Sequence, residues 1–262
     1  MRLADRIIDI LFCLRTEGSG LGVTEIASRV DLPRSTTHRL LQALESRWLV
    51  TQDALTQRYT LGLGLVALAS AVLQERNLLL APSQGPMERL RNLTEETVCI
   101  HVPSGLERVC IRQVESPHAV RYTLEIGRPM PLYCGASGKL LLAFMPERIV
   151  DKVIETTRLV PLTPTTITDP ASLRRELEKI RRDGYAVSFE ETSPLGAAVA
   201  APVRDAQGQV IACVTVYGPR MRLSEERILQ LVPEVLATAR EISEAIYPQR
   251  EPRAEVRARL LG

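Results

Sequence analysis

Residues 22–46, GVTEIASRVDLPRSTTHRLLQALES, restrict the N-terminal part of the chain to two short helices that cross over a tight turn. Small or apolar side chains fall where crossed helices must touch: Ile26, Ala27, Val30, Leu32, Thr37, Leu40, Leu41 and Leu44. Ala27 matters because a larger side chain there would push the helices apart. Asp31 occupies the bend, where a short polar residue tolerates left-handed dihedrals. Pro33 follows where a second helix begins, a place suited to its fixed φ and missing N–H. At about 100° per residue, Thr37, Leu40, Leu41 and Leu44 share one face of that helix. Ser35, Arg39, Gln42 and Ser46 lie opposite, flanked by Thr36 and His38. Hydroxyls, amides and guanidinium groups with little acid are what a major-groove reader presents.

The flanking residues extend this to a small domain. Trp48-Leu49-Val50-Thr51 and Arg58-Tyr59-Thr60-Leu61 are β-prone, separated by a polar run and stopped by Gly62. A hairpin directly after a recognition helix is a wing, and it brings Gln57 and Arg58 near a backbone or minor groove. Upstream, Leu3, Ile7, Ile10, Leu11 and Leu14 recur at helical spacing and supply a first helix. Residues 1–62 therefore read as a winged helix-turn-helix whose DNA contacts are Arg34, Ser35, Thr36, His38, Arg39, Gln42, Gln57 and Arg58.

Bulk properties set limits. A chain of 262 residues suits two domains, and its formal charge of +2 places any DNA affinity in local patches. Arg29, Arg34, Arg39 and Arg47 stand against Asp31 and Glu45 in that stretch, an excess that dimerisation doubles. The N-terminus is too interrupted by charge for a signal peptide, and no apolar run approaches the roughly 20 residues that span a membrane. The five cysteines, 13, 99, 110, 134 and 213, are scattered and never form a C-x-x-C pair, so they read as reduced and mostly buried. The expectation is a cytoplasmic protein with no cofactor and no metal.

From Gly64 to Arg76 a linker helix, counted as residues 63–77, carries Leu65, Val66, Leu68, Ala69, Val72 and Leu73, more apolar surface than a solvated helix bears. The same helix of a second subunit is its expected partner, since helix-turn-helix proteins read paired half-sites through two-fold symmetry. Residues 78–246 mix helix and strand. Strands are expected at 96–102 and 108–115 around a turn at 103–107, and again at 185–190, 196–203 and 210–217. Helices are expected at 170–183, capped by Asp169, and from 224 to about 245, where Pro233 should kink or divide the helix. The fold class is α+β: an antiparallel sheet with helices, behind a winged helix-turn-helix, with residues 247–262 left as a tail.

Three segments carry a family resemblance. Gly127-Arg128-Pro129-Met130-Pro131-Leu132-Tyr133-Cys134-Gly135-Ala136-Ser137-Gly138-Lys139-Leu140-Leu141-Leu142-Ala143 resembles the hallmark of IclR-family transcriptional regulators. Asp183-Gly184-Tyr185-Ala186-Val187-Ser188-Phe189-Glu190-Glu191, with Gly196 and Ala200-Ala201-Pro202-Val203, matches a second signature. Leu32-Pro33-Arg34-Ser35-Thr36 and Tyr59-Thr60-Leu61-Gly62 match the N-terminal domain. The resemblance implies a homodimer or a dimer of dimers on double-stranded operator DNA, with a GAF-like C-terminal domain binding a small metabolite. It places the effector against backbone amides at Ala136 and Ser137, the strand at Ser188 or Phe189, and Val199, Thr215 and Tyr217. Acid-binding members carry an acidic residue near 188–189, a cysteine at 199 and a serine at 217. The departures imply a less polar pocket for an organic acid larger than two carbons. Pro82 and Pro86 fall where the family has a long helix, which is therefore expected to be broken here.

Enzyme readings of the hallmark fail on spacing. A phosphate-binding loop needs glycine at 133 and Ser or Thr at 140, where Tyr133 and Leu140 stand. A nucleophile elbow needs glycine at 139, where Lys139 stands. A tight loop feeding a helix that starts near Lys139 is the remaining role, with Lys139 either an ion-pair partner or a ligand contact. His101, His118 and Cys134 show no spacing that requires a metal. The chain reads as a DNA-binding regulator with a small-molecule sensor domain. The alternatives are a dimerising DNA-binding protein with no ligand, or an enzyme carrying a DNA-binding appendage.

Overall fold

A computed structural model describes residues 3–15 and 19–246, except the side chains of 72–78. The expected tail at 247–262 and the linker side chains Val72 and Leu73 lie outside the described residues. The chain forms two compact units, Met1–Asn77 and Leu78–Gly262.

The first unit holds α1 (Leu3–Arg15), α2 (Val23–Arg29), α3 (Arg34–Glu45), β1 (Val50–Gln52) and β2 (Tyr59–Leu61). Ile10, Leu14, Ile26, Leu41, Leu44 and Tyr59 meet in one core, so the apolar face expected for the second helix is its packing face. Asp31 takes φ 50° at the bend. Pro33 stands one residue earlier than expected, as the N-cap of α3. The first strand starts two residues later than expected, because Trp48 is still turning at φ 62° and the Leu49 amide donates to Leu44. Gly62 closes the wing against that turn, since a Cβ there would stand 2.2 Å from the Trp48 carbonyl oxygen.

Next comes α4 (Gly64–Thr94), which runs through Pro82 and Pro86 without a break and so corrects the expected interruption. Each proline deletes one bond of the helical ladder. Being four residues apart, the two defects fall on one stripe of the helix. Buried Pro86, Met87 and Leu90 hold that part of the helix by packing.

The second unit adds β3 (Thr97–Ser104), β4 (Glu107–Val114), β5 (Pro129–Pro131), α5 (Gly135–Ala143), α6 (Glu147–Thr157), α7 (Pro170–Asp183), β6 (Ala186–Phe189), β7 (Gly196–Arg204), β8 (Val210–Pro219) and α8 (Glu225–Ile246). The sheet order is β5-β4-β3-β8-β7-β6, every neighbour antiparallel. The fold is α+β. The expected turn at 103–107 contracts to Gly105-Leu106 between longer strands, and α8 passes Pro233 undivided. The short β5 and the helix α6 were not legible as separate elements. Asp169 caps α7, its carboxylate accepting from the Ser172 amide at 2.7 Å.

Strand alternation sorts side chains to two faces. Along β7, Ala197, Val199, Ala201 and Val203 join Met87, Leu90 and the α8 residues Ile228, Leu231, Val235 and Ile242. Ala198 and Ala200 point the other way, with Cys213 and Tyr217, into a second core built with α5, α6 and α7. The alanines leave room for α5 to lie close on the sheet, and this second face carries the candidate site.

Candidate DNA-reading face and effector cavity

On α3 the expected reading residues divide cleanly from the core. Arg34, Ser35, His38, Arg39 and Gln42 are exposed and Thr36 half-buried, while Thr37, Leu40, Leu41 and Leu44 are buried. The first turn of α3 holds no acid. The wing residues are otherwise engaged. Arg58 donates from Nε to the Gly20 carbonyl at 3.0 Å and pairs through Nη2 with Glu25 Oε2 at 3.0 Å. Gln57, at φ 57°, donates to the Ala54 carbonyl and accepts from Gln52. Both side chains thus tie the wing to its own domain. Replacing Arg58 with Ala is expected to cost up to about 1 kcal/mol of stability, as an exposed ion pair does. Operator affinity should fall less than on loss of Arg39, measured by urea melts beside gel-shift titrations.

In the second unit a cavity opens between the first turn of α5, the sheet and the 122–130 segment. Its narrow inner end is lined by His101, Arg108, Ala136, Ser137, Ser188, Thr192, Ala198, Thr215 and Tyr217. An outer compartment of about 340 Å³ continues it past Tyr122, Thr123, Leu124, Glu125, Arg128 and Ser193. Five of the expected effector residues come together here: Ala136, Ser137, Ser188, Thr215 and Tyr217. Val199 and Phe189 do not. Alternation turns Val199 into the α8-side core, where it is fully buried, and Ala198 takes its place at the cavity. The same rule gives the cavity Ser188 and sends the Phe189 ring to the opposite face, beneath the Arg220 guanidinium at 4.3 Å.

Helix α5 starts at Gly135 rather than near Lys139, so Ala136 and Ser137 form its first turn instead of a preceding loop. Gly135 is at φ 74°, and a Cβ there would stand 2.8 Å from Thr192 Cγ2. Its amide donates to Glu191 Oε2 at 2.9 Å. Glu191 also accepts from Lys139 Nζ at 2.6 Å, and Glu176 accepts from the same ammonium at 2.8 Å. Lys139 is therefore a buried structural ion-pair partner. The next amides of the turn have no intrahelical acceptor and border the cavity.

Sequence reading missed Arg108 and weighed His101 only as a metal ligand. Arg108 on β4 is 6% exposed. Its Nε donates to Ser137 Oγ at 2.7 Å and its Nη1 to the Pro131 carbonyl. Burial lowers its pKa. His101 on β3 is buried with Nδ1 3.5 Å from Thr215 Oγ1, and burial, aided by the Arg108 charge, pushes its pKa down to about 3. Burial raises the Cys134 and Cys213 thiols to about 11 and about 12, so both stay protonated. Tyr217 shares a 2.7 Å hydrogen bond with Ser193 and packs its ring on Tyr122 at 4.8 Å. Among the described residues no group of three metal-ligating side chains forms, and no helix is long and apolar enough to cross a membrane.

The IclR helix-turn-helix domain matches residues 3–54, and the bacterial transcriptional regulator IclR C-terminal domain matches residues 70–244. The chain belongs to the IclR family. This IclR-family chain is 35% identical over 249 residues to the HTH-type transcriptional repressor AllR of Escherichia coli (strain K12), covering 95% of this chain and 91% of AllR. The crystal structure of Thermotoga maritima IclR superimposes with a TM-score of 0.78 at 31% identity, covering 93% and 98% of the two chains. An IclR homologue of Microbacterium hydrocarbonoxydans, crystallised with 4-hydroxybenzoate, shares the fold with a TM-score of 0.77 at 23% identity, covering 95% and 100%. The protein is a DNA-binding transcriptional regulator with an N-terminal helix-turn-helix domain and a C-terminal effector domain. Its relatives are named as regulators, not enzymes.

Proposed function

We propose that this regulator is a homodimer, or a dimer of dimers, in the cytoplasm, and that an organic acid held in the C-terminal cavity changes its grip on operator DNA. Residues 1–62 read the DNA through Arg34, Ser35, Thr36, His38, Arg39 and Gln42, residues 63–77 link, and residues 78–246 sense. Exposed Phe12 on α1 and Val66 and Leu68 on α4 supply apolar surface for a second subunit. The observation that carries the sensing role is the cavity itself, walled by the first turn of α5, Ser188, Thr215 and Tyr217. A helix N-terminus favours an anion, while the Tyr122–Tyr217 ring pair offers a flat wall for an apolar or aromatic body. The relative crystallised with 4-hydroxybenzoate makes that acid a reasonable first probe.

The test is a gel shift of the full chain on the DNA upstream of its own gene, titrated with aromatic and aliphatic acids including 4-hydroxybenzoate. One acid should change the shift, and Thr215→Val should raise the concentration required about 2- to 10-fold, the worth of one hydrogen bond. Thr192→Trp, filling the neck of the cavity, should abolish the response while DNA binding persists. An acid response that survives Thr192→Trp unchanged places the sensor elsewhere.

A further inference from the structure

Arg108 is the least expected group in the cavity. A guanidinium is rarely buried without an anionic partner, because the transfer from water is costly unless a charge repays it. Among the described residues Arg108 forms no ion pair. The nearby carboxylate, Glu191, bonds Lys139 and the Gly135 amide and acts on Arg108 only through space. The groups it bonds directly are neutral: the Ser137 hydroxyl, the Pro131 carbonyl and the Cys134 thiol. They fix the plane of the guanidinium but leave it with no anion in direct contact at the inner end of an open cavity.

The surroundings narrow the ligand further. Helix α5 directs its first turn at the same place, adding positive potential and amide donors. His101, the other ionisable neighbour, adds no second cation. In the outer compartment Glu125 pairs with Arg128 at 3.5 Å, which places a carboxylate where a second anionic group would lie. Tyr122 and Tyr217 wall the space between.

We propose that Arg108 is the charge anchor and specificity-determining residue of the effector cavity, selecting monocarboxylates whose acid group supplies the directly bonded anion it lacks beside the first turn of α5. The inference rests on the cavity being the effector site. A monocarboxylate gives the guanidinium a directly bonded anion, whereas an isosteric amide leaves it with neutral bonding partners alone. A dicarboxylate puts its second charge near the Glu125 carboxylate.

Calorimetry on the full-length protein at matched ionic strength tests this with benzoate, phenylacetate and acetate against benzamide, phenylacetamide and acetamide, and with terephthalate. In the wild type at least one acid should bind tenfold or more tightly than its amide, and terephthalate more weakly than benzoate. Arg108→Gln should bring acid and amide within about twofold of each other, and Arg108→Lys should restore a preference for the acid. Thr192→Trp should abolish binding of the acids. Acid and amide binding alike in the wild type, or an acid preference that survives Arg108→Gln, overturns the anchor while leaving the cavity as effector site. No acid binding at 10 mM overturns it likewise. Acid binding that survives Thr192→Trp removes the cavity itself as the site.

Discussion

Replacing Arg39 with Ala is expected to abolish specific operator binding while the protein stays folded. Arg39 projects from the exposed face of α3, opposite buried Leu40, Leu41 and Leu44, so its loss removes no core contact. A guanidinium at that position can donate two parallel hydrogen bonds to a guanine edge or grip a phosphate, and a good base contact of this kind discriminates by about 1–3 kcal/mol. The proposed dimer, on a two-fold operator, loses the contact twice. The combined penalty, about 2–6 kcal/mol, corresponds to roughly 30-fold to 10⁴-fold in affinity. Gel-shift titration at fixed salt should show this against operator DNA, with a much smaller change against unrelated DNA. An unchanged operator affinity would falsify the assignment of this face. The salt dependence separates two roles. A phosphate contact lowers the slope of log affinity against log salt by about one per subunit, whereas a base contact leaves it nearly constant.

How far such sites were legible in the sequence depends on the range of the forces that form them. The α2–α3 pair was readable because its constraints are local: Ala27 at the crossing, Asp31 in the bend, a four-residue apolar face on α3. The α7 cap was equally local, an Asp three residues ahead of a serine amide. The wing was legible, but the intramolecular contacts of its side chains were not. Arg58 points back to Glu25 and Gly20, residues more than thirty positions away, and no periodicity reveals that. Pro82 and Pro86 were overruled by packing, since burial of Met87 and Leu90 against the sheet outweighs two lost backbone bonds.

The cavity illustrates a different limit. Choosing between neighbours such as 188 and 189, or 198 and 199, requires the strand register, which flips every side chain when it slips by one. The pairing of Ser188 with Ala198, and of Ala198 with Tyr217, settles it: these three share the cavity face. Once the register is set, Val199 and Phe189 cannot belong to that face. Arg108, and the place of His101 in the cavity wall, escaped notice for a further reason. A lone Arg or His in a β-prone run reads as a solvated edge or a satisfied core group. Their significance comes from a tertiary coincidence, the bulge at Ile100/His101 and the arrival of α5 over β4. The run Arg108-Val109-Cys110 does hold one retrospective signal. Arg108 and Cys110 lie two apart on a strand, so they share a face, and a cysteine is a common buried neighbour.

Lowering the pH from 7 to 5 is expected to destabilise the effector domain through His101, by about 2 kcal/mol from this residue alone. The imidazole is buried in the cavity wall, faces the Arg108 guanidinium and lies beside Thr215, with Cys213 paired across the strand. Burial and then the neighbouring cation hold its pKa at about 3, against the ordinary 6.5. A base whose folded pKa is depressed binds fewer protons folded than unfolded, so stability rises with pH across that interval. The contribution is intact above about pH 6.5 and is lost progressively as the pH falls towards 3, at up to 1.4 kcal/mol per pH unit. His101→Gln keeps a neutral hydrogen-bonding side chain but cannot take the proton. Urea unfolding of both proteins at pH 7 and pH 5 isolates the effect, since the carboxylates they share cancel in the comparison. The wild type should lose about 2 kcal/mol more than the variant over that interval, and equal losses would show that His101 is protonated as readily folded as unfolded. A carboxylate seated beside Arg108 should blunt the difference, because a second charge of opposite sign near His101 makes its protonation less costly. The same melts run with a bound acid therefore connect the acid sensitivity of the fold to the occupancy of its cavity.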